Sequence, residues 1–258
     1  MVDELVTFPE LVVVTGAAGM LGTALCDALT ARGVSVLATD KYQPDSLPAA
    51  AAGQITWLQA DLEQAESRVQ LVGGVRSLAT GSLGIIHNAS FVGDSDLEGW
   101  VGPLESQSSE TWNRALEVGL TAAFGITRDL AQELRAKPGS AVVHVSSIYS
   151  ALGPDWSLYE GTSLGNPAAY GVAKAGSEQL TRWMASSLAP NVRVNAVAPG
   201  GLKRNQPQEF VERYEAKVPL GRMGNETDVV DSVLFLLSSQ SSYITGQVLV
   251  VDGGYSIT

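Results

Sequence analysis

The chain has 258 residues, 45% of them hydrophobic, and 16 basic against 27 acidic side chains give a net charge of −11. That length and apolar content suffice for a full core, and the negative balance argues against nucleic acid or an anionic membrane surface as a partner. A single cysteine excludes an internal disulfide and fits a reducing, cytoplasmic setting.

Asp3 and Glu4 stand where a signal peptide would be basic, and no apolar run approaches the roughly 20 residues that span a bilayer. Leu11–Val14 is a short apolar run ended by a glycine turn, as in a buried parallel strand. Leu21, Leu25, Ala28 and Leu29 follow at helical spacing up to Gly33, and Cys26 among them reads as a small buried apolar residue. Further strands are expected at 34–38, 55–58 and 83–86, a long helix at 112–134 and a strand at 141–145. A helix at 170–188, a strand at 192–197, a helix at 226–238 and a strand at 247–251 complete the series. Strands alternating with helices from end to end predict an α/β fold with a doubly wound parallel sheet of about seven strands, spanning 1–258 as one Rossmann-type domain. Two stretches, 91–109 and 148–169, are too long for minimal connections. They follow strand ends, where such sheets bind ligands, and are expected to carry substrate contacts.

Three motifs carry chemistry. Tyr170 and Lys174 are four residues apart and share a helix face, so a lysine charge beside the phenol is expected to lower its pKa from about 10. Ser147 at a strand end can hold a substrate oxygen beside that phenol. Gly16, Gly19 and Gly22 form a strand-to-helix turn whose helix N-terminus, at Met20 and Leu21, suits a pyrophosphate. Asp40, after the second strand, can accept the ribose hydroxyls and repel a 2′-phosphate, which favours NAD over NADP, although Lys41 beside it can tolerate that phosphate. Asp61 and Leu62 are expected at the adenine edge, and Asn88, Ala89 and Ser90 along the adenosine side.

Taken with His87–Ser90, Ser146–Ser147, Arg193–Gly200 and Thr245–Gly254, these motifs resemble the short-chain dehydrogenase/reductase family over nearly the whole chain. The resemblance implies that Tyr170 is the general acid/base, that Lys174 holds the nicotinamide ribose, and that Ser147 bonds the reacting oxygen. It implies that Pro199, Gly200 and Leu202 flank the nicotinamide, and that the long helices build a homotetramer or a dimer. The loops at Phe91–Trp100, Gly153–Gly161, Asn166–Tyr170 and Gly201–Pro207 resemble a subgroup tied to flagellin-modification and surface-polysaccharide sugar pathways. Three positions depart from the family pattern: Met20 for a glycine, Gly119 for the asparagine of the proton relay, and Arg204 for a threonine.

The expected activity is NAD(H)-dependent interconversion of a secondary alcohol and a ketone, on a sugar or a phosphorylated or nucleotide-linked sugar. Phe91, Tyr149, Trp156, Tyr159, Arg204 and Asn205 are the expected substrate contacts, with Lys203 and Arg204 available to an anion. Two alternatives stay open: an NADPH-dependent acyl or polyketide ketoreductase, and a dinucleotide-binding subunit whose turnover has decayed at Gly119. His87 and His144 show no metal-ligand spacing, so no metal is expected.

Overall fold

The computed structural model describes residues 6–43, 54–91 and 97–258; Asp3, Glu4 and residues 92–96 of the first long loop lie outside them. Seven strands form one parallel sheet: β1 (Leu11–Thr15), β2 (Ser35–Asp40), β3 (Ile55–Gln59), β4 (Leu83–His87), β5 (Ala141–Val145), β6 (Arg193–Pro199) and β7 (Val248–Val251). Their order is β3-β2-β1-β4-β5-β6-β7, so the winding reverses between β1 and β4, where a doubly wound sheet opens its ligand crevice. β1, β4 and β5 are buried at every position, which is why they read as unbroken apolar runs.

Helices cover both faces. α1 (Met20–Thr30) and α8 (Glu226–Leu237) pack Leu25, Leu29, Val233 and Leu237 against Val12, Val14, Val36 and Ile86. On the other face α2 (Ala65–Leu78), α4 (Ala122–Asp129), α5 (Ala131–Ala136) and α6 (Ala168–Leu188) bury Leu71, Ile126, Leu134 and Met184 against Val13, Leu37, Ile85 and Val142. α3 (Ser109–Leu116) precedes α4, and the short α7 (Gln208–Glu215) follows β6.

The long helix expected at 112–134 is not continuous. A π turn at Glu117–Thr121 separates α3 from α4, and Leu130 leaves helical geometry before α5. A π turn adds a residue to the ring of each hydrogen bond and shifts the register of everything after it.

Several residues of the family-like motifs hold the frame together. The Arg193 guanidinium donates to the carbonyls of Leu236 (2.7 Å), Leu237 (3.1 Å) and Ser238 (2.9 Å), closing the C-terminus of α8. The Asn195 amide donates to the Ile244 carbonyl (2.9 Å) and accepts from the Gln247 N–H (3.0 Å), which docks β7. His87 and His144 stack with centroids 5.0 Å apart. Each bonds a buried threonine, Thr127 at 2.8 Å and Thr181 at 2.7 Å, and burial holds His144 down at about 4. They are structural, and no group of three or more His, Cys, Asp or Glu side chains is placed to hold a metal among the described residues. Cys26 is free and buried, its thiol pushed up to about 12 by burial. No helix among the described residues is long and apolar enough to cross a membrane.

Candidate active site

The C-terminal ends of the central strands open into a cavity of about 410 Å³. One end is lined by Gly16, Gly19, Met20, Leu21, Gly22, Asp40, Asn88, Ala89 and Ser90, the other by Ser147, Tyr149, Tyr159, Tyr170, Lys174, Pro199, Gly200, Leu202 and Arg204. Ser147, Tyr170 and Lys174 therefore meet the glycine turn in a single space, though up to 158 residues separate them in sequence.

The turn is tightly built. Gly16 has φ +67°, and an added Cβ would lie 2.8 Å from the Ala89 Cα. A Cβ on Gly22 would lie 2.1 Å from the Gly16 carbonyl oxygen. The Asn88 amide donates to the Thr15 and Gly16 carbonyls, both at 3.0 Å, and the Thr15 hydroxyl accepts from the Asn88 (3.1 Å) and Ala89 (3.0 Å) N–H groups. Asn88 thus shapes the turn as well as lining the cavity. Gly19 gives α1 no side-chain cap, which leaves its first N–H groups to a ligand. Asp40 accepts from the Ala18 N–H at 3.1 Å. An adjoining space of about 130 Å³ is lined by Asp40, Lys41, Asp61, Leu62, Ala89, Ser90 and Phe91. Glycines whose side chains would collide, an uncapped helix start and a carboxylate at the end of β2 fit a dinucleotide.

At the far end, Tyr170 and Lys174 lie one turn apart on α6, whose first N–H at Ala168 is capped by the Gln107 side chain at 3.0 Å. Lys174 is buried and its Nζ donates to the Val145 carbonyl at 2.7 Å, 5.6 Å from the centre of the Tyr170 ring. Its ammonium is lowered to about 8 by burial. The expected depression of the phenol is not found in the protein alone: burial raises the Tyr170 pKa, against a hydrogen bond from Ser147 and the charge of Arg204, which lower it. The lysine is directed at a carbonyl and the ring rather than at the phenol oxygen, so desolvation wins. Ser146, beside Ser147, is structural: its hydroxyl bonds Glu178 at 2.9 Å.

The expected substrate contacts divide. Tyr149 and Tyr159 face the cavity with their hydroxyls 2.9 Å apart, and Arg204 lines its rim. Three do not reach it. Phe91 is buried, edge-on to Trp100 at 5.0 Å and beneath the Arg114 guanidinium at 4.6 Å. Trp156 lies in a neighbouring groove of about 690 Å³ that shares Tyr149 and Tyr159 with the cavity. Asn205 is exposed and outside both, while its neighbour Gln206 lines the cavity. Lys203 is drawn off by Glu215 at 3.6 Å. Phe210, Tyr214 and Met223 were not anticipated; Tyr214 accepts the Gly201 N–H at 2.6 Å and so fixes the Pro199–Leu202 segment. The only signal for Phe210 and Tyr214 was the weak 210, 211, 214 spacing after Pro207, and Met223 had none.

Gly119 falls inside the π turn, and a Cβ there would lie 3.2 Å from the Ala173 Cβ, beside Lys174. Gly119→Asn should crowd α6, lowering Tm by roughly 2–8 °C and reducing kcat. Calorimetry with steady-state kinetics checks this; a several-fold higher kcat at unchanged Tm would show that the missing side chain limits the chemistry.

A family model described as Enoyl-(Acyl carrier protein) reductase matches residues 16–256. An uncharacterized short-chain type dehydrogenase/reductase of Sinorhizobium fredii is 33% identical over 99% of the chain, which spans 45% of that protein's length. The chain belongs to the short-chain dehydrogenase/reductase family. A cis-4-hydroxycyclohexanecarboxylate dehydrogenase of Sinomonas cyclohexanicum is 31% identical over 96% of both chains. A short-chain dehydrogenase of Leptospira borgpetersenii, solved with bound NAD+, superposes with a TM-score of 0.84 at 29% identity, over 96% of this chain and 93% of that one. As a family member the protein is an oxidoreductase of alcohols and ketones that uses a nicotinamide dinucleotide.

Proposed function

We propose that the protein is an NAD(H)-dependent oxidoreductase interconverting a secondary alcohol and a ketone on a sugar-like substrate, with Ser147, Tyr170 and Lys174 as its catalytic residues. The observation that carries this is the convergence of those three at one end of a cavity whose other end holds the glycine turn and Asp40. When bound, the nicotinamide supplies or accepts a hydride at the carbon bearing the reacting oxygen. Tyr170 gives the proton to that oxygen in reduction and takes it in oxidation. Ser147 donates a hydrogen bond to the same oxygen. Lys174, anchored on the Val145 carbonyl, keeps two ammonium hydrogens for ribose hydroxyls and adds positive charge near the phenol. The hydroxyls of Tyr149, Tyr159 and Tyr214 and the amide of Gln206 suit a polyhydroxylated substrate. The resemblance of the 153–161 and 201–207 loops to the surface-polysaccharide sugar subgroup supports the same choice. The name of the Sinomonas relative supports a ring-borne secondary alcohol.

Asp40 favours NAD, since a 2′-phosphate would meet its carboxylate. Asp40→Ala should narrow the gap between NADH and NADPH affinity. Fluorescence titration of both cofactors tests it, and tighter NADPH binding to the parent protein would mean that Lys41 sets the preference.

The acyl ketoreductase reading draws on one observation, the 690 Å³ groove continuous with Tyr149 and Tyr159, where an acyl chain could lie. Turnover of acyl thioesters with NADPH, and none of polyols, would favour it.

We place the protein in the cytoplasm as a homotetramer or dimer. Trp112, Phe124, Val172 and Trp183, on α3, α4 and α6, are apolar and 36–60% exposed, as a face covered by a second copy would be. Light scattering at micromolar concentration should give a multiple of 27.0 kDa; a monomer mass contradicts this.

A further inference from the structure

Apart from the buried Lys174, most cations around the reaction end of the cavity are engaged among the described residues. Lys203 pairs with Glu215, Lys217 with Asp155 and Arg222 with Asp228, while Arg213 donates to the Glu160 carbonyl. Arg204 has no ion pair among the described residues, yet it lines the cavity beside Ser147 and Tyr170. Its charge reaches the Tyr170 phenol, where it favours the ionised form.

The backbone that carries Arg204 is held from both sides. The Gln206 amide oxygen accepts the Arg204 N–H at 2.6 Å, and the Gln206 amide nitrogen donates to the Leu202 carbonyl at 2.8 Å. The Lys203 N–H donates to the Gly224 carbonyl at 2.9 Å, and Leu202 bridges to Gly224. A fixed backbone bearing an uncommitted guanidinium is the arrangement of an anion receptor.

We propose that Arg204 receives a carboxylate of the substrate, so that the enzyme acts on a hydroxy acid and its keto acid. This rests on the oxidoreductase reading of the cavity and names the substrate class for it. The carboxylate is a recognition group: the C–H hydrogen leaves as hydride to the oxidised nicotinamide, the O–H proton goes to Tyr170, and the acid group is unchanged. Charge decides for carboxylate over phosphate. Lys174 is buried and its remaining ammonium hydrogens are taken by the ribose in this reading, so Arg204, exposed and without an ion pair among the described residues, is the cation left for a substrate anion. A phosphate dianion would bring a second negative charge without a counter-charge. A planar carboxylate matches the guanidinium fork with two parallel hydrogen bonds.

The test is equilibrium binding by calorimetry, independent of turnover. The NADH complex is titrated with gluconate, gluconamide and glucose 6-phosphate, and with cyclohexanecarboxylate and its carboxamide. In at least one pair the acid should bind roughly 10-fold or more tightly than the amide. Arg204→Gln should erase that preference while leaving the NADH Kd unchanged. The proposal is overturned by equal binding of acid and amide in both pairs, or by an acid preference that survives Arg204→Gln. It is equally overturned if the variant loses NADH affinity and keeps the preference, which would assign Arg204 to the cofactor, or if glucose 6-phosphate binds tightest. Failure of every secondary alcohol to reduce NAD+ would instead sink the oxidoreductase reading, and would leave these binding results standing.

Discussion

Tyr170→Phe lowers kcat by roughly 10²–10⁴-fold, the range contributed by a positioned general acid or base, and leaves the NADH Kd and Tm close to those of the parent. The expectation follows from what the side chain touches. Its ring is half-buried on α6 within the Phe91–Trp100 cluster, and phenylalanine keeps that packing. Its hydroxyl faces Ser147 in the cavity and supports no other element, so removing it takes away the proton and little else. Burial holds the phenol proton tightly in the protein alone, and oxidation needs the ionised form. Oxidative kcat of the parent should therefore climb as pH rises above neutrality, and the Phe variant should lose that dependence. Steady-state kinetics across pH, with fluorescence titration of NADH, measures all of this. Near-normal turnover in the variant would remove Tyr170 from the chemistry.

Gly22→Ala should raise the NADH Kd by roughly 10- to 100-fold, from an overpacking cost of about 1–3 kcal/mol placed directly on the cofactor turn. The added methyl would stand 2.1 Å from the Gly16 carbonyl oxygen and 2.7 Å from the Ala17 Cα, both backbone atoms. Neither is the movable end of a side chain, so α1 must shift off the end of β1 and carry Met20 and Leu21 with it. Gly33, with open space around it, is the control: Gly33→Ala strains a positive φ but leaves the turn in place. It should lower Tm and leave the NADH Kd unchanged. Normal NADH affinity in a folded Gly22→Ala protein would separate the turn from the cofactor.

The sheet and the Ser147–Tyr170–Lys174 constellation were legible because each rests on a short-range pattern that tertiary structure does not overrule. Parallel strands buried on both faces must be apolar runs, and a Tyr and a Lys four apart must share a helix face. The broken helix was not legible, although Val118, Gly119 and Thr121 are weak helix formers, because isolated residues of that kind are tolerated inside helices and do not by themselves specify a π turn, here packed against α6. α7 was missed because eight residues with only Phe210, Val211 and Tyr214 buried give little periodic signal. The aromatic contacts failed for a different reason. Phe91 and Trp156 have the composition of pocket walls, but composition does not say which way a loop turns. The same holds for Asn205 and Gln206, neighbours of similar chemistry of which only Gln206 lines the cavity.

The central claim is hydride transfer at a carbon held beside Tyr170. It is tested most directly by incubating the protein with NAD+ and secondary alcohols carrying deuterium on the alcohol carbon, across polyols, ring alcohols and hydroxy acids, and weighing the recovered dinucleotide by mass spectrometry. Singly deuterated NADH from at least one alcohol, formed roughly 10²–10⁴-fold more slowly by Tyr170→Phe than by the parent, is the predicted result. NAD+ recovered unreduced from every alcohol, or deuterated NADH formed equally by parent and variant, would contradict it.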